Sequence, residues 1–283
     1  MTAIVETPAF NPNSFARLAR LSLARTAIEL KTFFRTPEQV FFTFLLPVLF
    51  VVIFSTIFSG EIEGGPPGSE PVEFAQYFVP GMIASGIVAA TFASLAMTIS
   101  IEQQEGLLRR LSGTPLPRSA YFAGKIGLAT VTSILEVILI LGIGVALYGV
   151  EVPTDPVKWL VFAGVFFLGI GTCSLLGIAY TRLIPNGGSA SAIVQPPYLV
   201  LQFISGVFLQ YQQVPAGLQF VASLFPLKWM VQGLRYVFLP DWVAVEDYGG
   251  EWHIEQVFLV LGAWLPVSFV LARRFFRWNR GVE

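Results

Sequence analysis

Charged residues and metal-binding side chains are scarce in this sequence. Among 283 residues there is one cysteine, Cys173, and one histidine, His253, which excludes a Cys/His metal site and any intrachain disulfide. No G-x-x-x-x-G-K-[ST] phosphate loop is present. The single Gly-Lys pair, Gly124-Lys125, is followed by Ile126, and Ser119 stands where the first glycine belongs, so the chain does not bind ATP by that route. A Ser-His-Asp triad would have to run through His253, which reads as an exposed interfacial residue, and no nucleophile-elbow motif supports one. Enzymatic chemistry within the chain is not expected. Asp, Glu, Lys and Arg make up 12% of the residues, half of what a soluble domain carries.

Apolar residues fill the space that charge leaves. They make up 54% of the chain, and the mean hydropathy is +0.69. Six runs approach or exceed the roughly 20 residues that cross a bilayer as helix: about 39–58, 77–101, 120–148, 157–181, 190–211 and 256–276. Barrel strands would instead alternate over about ten residues. The predicted fold is an all-α integral membrane protein with six transmembrane helices. A polar, basic lead of nearly forty residues precedes the first run, unlike a secretory signal, so no processing is expected.

The net charge of −1 hides a segregation by loop. Fourteen of the seventeen Lys and Arg residues fall before the first run, around the second-to-third loop, after the fourth run and at the C-terminal end. Only Lys158, Lys228 and Arg235 fall on the other side, where Glu61, Glu63, Glu70, Glu73, Asp241, Glu246, Asp247, Glu251 and Glu255 collect. The positive-inside rule then puts both termini in the cytoplasm of a multi-pass plasma-membrane protein.

Three segments are not simple spans. Residues 15–35 repeat Phe15, Ala19, Leu23, Thr26, Leu30 and Phe33 at helical spacing, with Arg17, Arg20, Lys31 and Arg35 opposite. That pattern predicts an amphipathic helix lying in the headgroup plane, apolar side down. Leu21 and Ile28 fall on its basic side, free for lipid or a partner, and Thr36-Pro37 ends it. Residues 212–255 hold two short apolar stretches, 218–225 and 230–239, bounded by Pro215, Pro226 and Pro240. These predict short re-entrant or interfacial extracellular helices before the last span, with Trp229, Trp242 and Trp252 at headgroup depth. The chain thus divides into a tail and amphipathic helix over 1–36 and a membrane domain over 37–283.

The third segment runs from Glu102 to Leu116 and is charged, helical and caught between two apolar runs. Leu107, Leu108 and Leu111 form a predicted exposed apolar knob, flanked by Glu105, Arg109 and Arg110, as a docking surface requires. Gly113, Thr114 and Pro115 stop the helix. Glu136 stands alone in the middle of the third run, where a carboxylate costs roughly 2.5–3.5 kcal/mol and tends to face a bundle interior or wet cavity. Substrate contact, a proton step, an interface hydrogen bond and a purely structural bond to a neighbouring hydroxyl all remain open for it.

Glu105-Gly-Leu-Leu-Arg-Arg-Leu-Ser-Gly-Thr-Pro-Leu116, followed by Ala123-Gly-Lys125, resembles the motif between the second and third spans of type-2 ATP-binding-cassette (ABC) export permeases. Leu107 replaces a common Thr there, and Arg109 a common acid. Arg35-Thr-Pro37 leading to Leu46-Pro47 resembles the family's entry to its first span. Phe225-Pro-Leu-Lys-Trp-Met-Val-Gln-Gly-Leu-Arg235 is similar to its element before the last span, with Phe225 for the usual Asn. The drug-resistance and antibiotic-exporter permeases are the nearest subgroup, which points to a bacterial source.

The resemblance implies a transmembrane permease subunit that moves an amphiphilic substrate (a drug, lipid or glycolipid) outward. It implies two copies of a separate cytoplasmic ABC ATPase, which carry the ATP and magnesium, and a second permease subunit, either identical or paralogous. This chain itself needs no cofactor, and no nucleic acid is implied. Residues 103–113 become the coupling helix, with Glu102, Glu105, Gly106, Leu107, Leu108, Arg109, Arg110, Leu111, Gly113, Thr114 and Pro115 at the ATPase contact. Residues 15–35 become the connecting helix, with Arg17, Arg20, Leu21, Arg25 and Ile28 marked. Glu136 becomes a candidate for the translocation path. Two other classes stay open: a proton-coupled secondary carrier using Glu136, and a membrane assembly scaffold.

Overall fold

The computed structural model describes residues 15–58, 60–62 and 71–278. Glu63, Glu70, Arg280 and residues 1–14 lie outside the described residues. Helix α1 spans Phe15–Phe34, and Pro37 opens α2, Pro37–Ile57, where its fixed φ suits a first helical turn. A two-residue antiparallel pair follows, β1 (Glu61–Ile62) with β2 (Val72–Glu73), in register Ile62 to Val72.

Helix α3 (Phe74–Val88) continues through a π-helical turn at Ala89–Ala93 into α4 (Ser94–Gln104), making one 31-residue rod. The short helix α5 (Leu107–Ser112) follows, then α6 (Arg118–Tyr148) and α7 (Pro156–Tyr180), the latter capped by the Asp155 side chain, which accepts from Val157 N–H at 2.8 Å. Next come α8 (Ala190–Ile204), α9 (Ala216–Ser223), α10 (Pro226–Phe238) and α11 (Ile254–Phe275).

Five of these rods are long and apolar enough to cross a membrane: α2, α3 with α4, α6, α7 with its following turn, and α11. The predicted run 190–211 is the exception. Its helix, α8, has 15 residues and stops at Ile204, before Gly206 takes a φ of +78°. At 1.5 Å per residue, α8 is about 22 Å long, short of the roughly 30 Å hydrocarbon core.

Outward faces of the rods are apolar: Phe42, Leu160 and Leu259 are 58%, 72% and 69% exposed, which suits lipid and not water. The main core lies where α3, α6, α7, α10 and α11 meet, around Phe78, Met82, Ile140, Phe166, Met230 and Leu261.

Helix α10 is the surprise within that core. The sequence predicts a re-entrant or interfacial helix; nearly all of α10 is buried against α3, α7 and α11, as a re-entrant helix seated in protein is and a headgroup-plane helix is not. Trp229 and Trp252 are buried with it and serve packing, not headgroup contact. Asp247, expected among exposed acids, is buried too, 4.0 Å from Lys228 and 3.5 Å from Arg235. Lys228 also donates to Gln232, and the Arg235 guanidinium stacks over Tyr77 at 3.8 Å. Burial pushes the Lys228 ammonium down to about 8, against the opposing pull of Asp247.

Candidate functional site

The basic loops converge on one end of the bundle. There, Arg25 on α1 binds Glu29 one turn later at 2.5 Å, and Glu29 accepts from Lys125 of α6 at 2.8 Å. Lys125 also donates to Glu102 of α4 at 2.5 Å, and the Tyr121 hydroxyl donates to Glu102 at 2.5 Å. Lys125 is 1% exposed, so its charge is sustained by two carboxylates and not by water. Four charged groups on α1, α4 and α6 therefore close one buried network.

Other segments join at the same end. The Gln103 amide donates to the Arg277 carbonyl at 2.8 Å, and the Gln104 side chain accepts from Gly187 N–H at 2.5 Å. Trp278 packs edge-on to Tyr121 under the Arg118 guanidinium.

Helix α5 hangs from this network. Gly106 turns the chain with φ +73°, a left-handed conformation that side chains resist, and so folds α5 back beneath the bundle. This corrects the expected exposed knob. Leu108 is 1% exposed and packs with Leu95, Ile99, Tyr121 and Ile178. Leu107 and Leu111 are half-buried, and the outward rim is exposed: Glu105, Arg109, Arg110 and Thr114, with Gly113 and Pro115 beside them. An apolar side chain on a short loop helix seeks the nearest protein surface, which here is its own membrane domain.

Helix α1 departs from the predicted stripe in the same way. Arg25, Thr26, Glu29 and Phe33 turn toward the protein, whereas Phe15, Leu23 and Ile28 are exposed. Arg17 and Leu21 are half-buried, and Arg20 is exposed. Glu29 was missed as a site residue. Its only local signal is the Arg25/Glu29 spacing of one helical turn, and its main partner lies 96 residues away.

From the network a cavity of about 870 Å³ runs between α1, α2, the α3–α4 rod, α6 and α8. Its inner end is Glu29, Glu102 and Lys125; deeper in, Glu136, Ser85, Tyr198 and Gln202 line it. The π-helical turn faces it through Ala89, Ala90 and Ala93, and such turns often mark functional positions. Gln202 donates to the Tyr198 hydroxyl at 2.7 Å and also to Ser85, joining α3 and α8 across the cavity. Glu136 is 3% exposed and makes no hydrogen bond or ion pair among the described residues. The neighbouring hydroxyl expected in its structural reading does not bond it. Ser85, Tyr198 and Gln202 gave no sequence signal beyond being polar in apolar runs.

Comparison with known proteins places the sequence beside transport permeases. Residues 22–239 match the family model described as ABC-2 type transporter. The inner membrane transport permease YadH of Escherichia coli (strain K12) is 24% identical over 197 residues, covering 70% of this chain and 75% of YadH. The candidate transport permeases ycf38 of Cyanophora paradoxa and Porphyra purpurea are 26% and 24% identical, over 76% and 84% of this chain and 71% and 84% of their own lengths.

Proposed function

This chain belongs to the ABC-2 type transporter family, and from that premise we propose that it is the membrane-spanning half of an exporter. Two copies of a cytoplasmic ABC ATPase dock beneath a pair of such chains, supply the ATP and magnesium, and drive an amphiphile outward through the cavity. Whether the second permease is identical or paralogous, the docking element is the same. Supporting that reading, one observation carries the most weight: α5 is clamped to the bundle through Leu108, and the adjacent Glu102 is clamped to Lys125 and through it to α1. Force applied to the Glu105/Arg109/Arg110 rim thus reaches α1, α4 and α6 together, and these helices border the cavity.

In this reading the crossings number six, with α8 as a short fifth. Its start lies by Gln104 at the network end, and Ile204 packs with Tyr211 and Val214 of the segment leading to α9 and with Ala222 of α9. Both chain ends then face the cytoplasm of a bacterial plasma membrane, and α9 and α10 face outward.

The test is charge reversal on the rim. The double substitution Arg109→Glu/Arg110→Glu, with the cognate ABC ATPase co-expressed, is expected to cut ATPase recovery on the tagged permease at least tenfold. Membrane insertion should stay at the wild-type level. Undiminished recovery of the ATPase overturns the assignment of α5.

A further inference from the structure

Resting on that permease reading, we propose that the cavity takes an organic cation, an apolar body carrying one positive charge, which seats on Glu136. The cavity is drug-sized, since small-molecule pockets run from about 300 to 1,000 Å³. Its charges are lopsided. Among the described residues, Glu29, Glu38, Glu102 and Glu136 line it, against the single cation Lys125. Lys125 already answers Glu29 and Glu102, both within hydrogen-bonding distance. Glu136 is left without a counter-charge among the described residues. An isolated buried carboxylate is unfavourable until a positive charge joins it, and an ion pair gains strength as water is excluded.

The site has the form of a receptor for such a charge. Glu136 reaches over Gly86: a Cβ there would fall 2.2 Å from its Oε1, so the absent side chain makes room for the carboxylate. The Tyr198 ring and hydroxyl lie on the same cavity wall, and Phe33, Phe42 and Phe50 supply apolar and cation–π surface toward α2. Glu38, exposed at the first turn of α2, sits on the lining outside these and draws a cation inward. A neutral amphiphile gains no ion pair from Glu136, and an anionic one meets the wrong charge there.

Tetraphenylphosphonium and tetraphenylborate, matched in shape and opposite in charge, separate charge from hydrophobicity. Binding of each is measured to the permease–ATPase complex in neutral-lipid nanodiscs, with empty discs subtracted. Wild type is expected to bind the phosphonium at least tenfold tighter than Glu136→Gln does, Glu136→Asp is expected to retain most of the affinity, and the borate is expected to lose nothing in the glutamine variant.

A measurement on the unmutated protein guards against misfolding. Tetraphenylphosphonium should protect Glu136 from modification by dicyclohexylcarbodiimide, read on the modified peptide by mass spectrometry. Equal phosphonium affinity in wild type and Glu136→Gln, loss of both ions together, absence of protection, or separation of paired permeases by Glu136→Gln each overturns the proposal. ATPase content is scored in the same discs. An ATPase-free permease that still binds the phosphonium through Glu136 sinks the exporter reading and leaves this one standing. An ATPase-loaded complex indifferent to Glu136 does the reverse.

Discussion

Lys125 shows at residue scale how one buried charge holds three elements together. Its ammonium has two carboxylate partners, one on α1 and one on α4, and almost no water. Removing a single partner of a buried ion pair leaves an uncompensated charge, at a cost of about 3–5 kcal/mol. Lys125→Met is therefore expected to lower the melting midpoint of the purified permease sharply. The double variant Lys125→Met/Glu102→Gln should recover much of that loss, because Glu29 keeps Arg25 as its partner and no charge is stranded. A double variant no more stable than the single one would mean that the network contributes geometry rather than charge balance. The sequence makes parts of this site legible. Glu102 opens the charged segment between two apolar runs, Lys125 stands in the Ala123-Gly-Lys125 part of the family resemblance, and Glu136 stands out as a carboxylate inside an apolar run. Leu108 was misread because helical spacing reveals that a leucine belongs to an apolar face but not which surface that face meets. Glu29 pairs with a residue 96 positions away, and no local pattern reports that.

At the scale of elements, the π-helical turn in the α3–α4 rod depends on α7. Gly177 lies against the backbone of the turn: a Cβ there would come within 2.7 Å of the Phe92 carbonyl oxygen and 3.0 Å of its Cα. Backbone atoms in a packed rod retreat little, so Gly177→Ala is expected to destabilise by about 1–3 kcal/mol, the usual cost of overpacking. Gly142→Ala on α6 meets open space and should be neutral or slightly stabilising, since it only removes helix-interior glycine. Thermal unfolding of the two variants side by side checks this, and equal midpoints would reject the close approach. Hydropathy placed the five long rods to within a few residues because lipid length dictates them. It overran α8, whose end depends on Gly206 and the packing of the next loop, not on composition. It left α10 between a re-entrant and an interfacial place, because Lys228 and Arg235 are sustained by Asp247, a later residue that no periodicity links to them.

Across the molecule as a unit, function depends on which end of the bundle meets water on which side of the membrane. Arg25, Arg109, Arg118, Arg182 and Arg277 belong to segments gathered around α5 and the Lys125 network, whereas Lys158 contacts the Leu239 carbonyl at the opposite end, near α9 and α10. By the positive-inside rule the end carrying α5 is expected to face the cytoplasm, with the bundle oriented as one unit. Cys173 is free and buried, so a Cys173→Ala background carries no competing thiol. Single cysteines are introduced at the exposed positions Ala216 and Glu251 near one end and Ser112 at the other. With a membrane-impermeant maleimide on intact cells, Ala216→Cys and Glu251→Cys are expected to label at once, and Ser112→Cys only after permeabilisation. The pair brackets the crossing count as well as the orientation. If α8 failed to cross, Ala216 would share the side of Ser112 and stay dark until the membrane is opened, and α11 would have no route back to the Tyr121 end where Ala272 packs. Labelling of Ser112→Cys from outside would invert the molecule and remove α5 from any cytoplasmic ATPase.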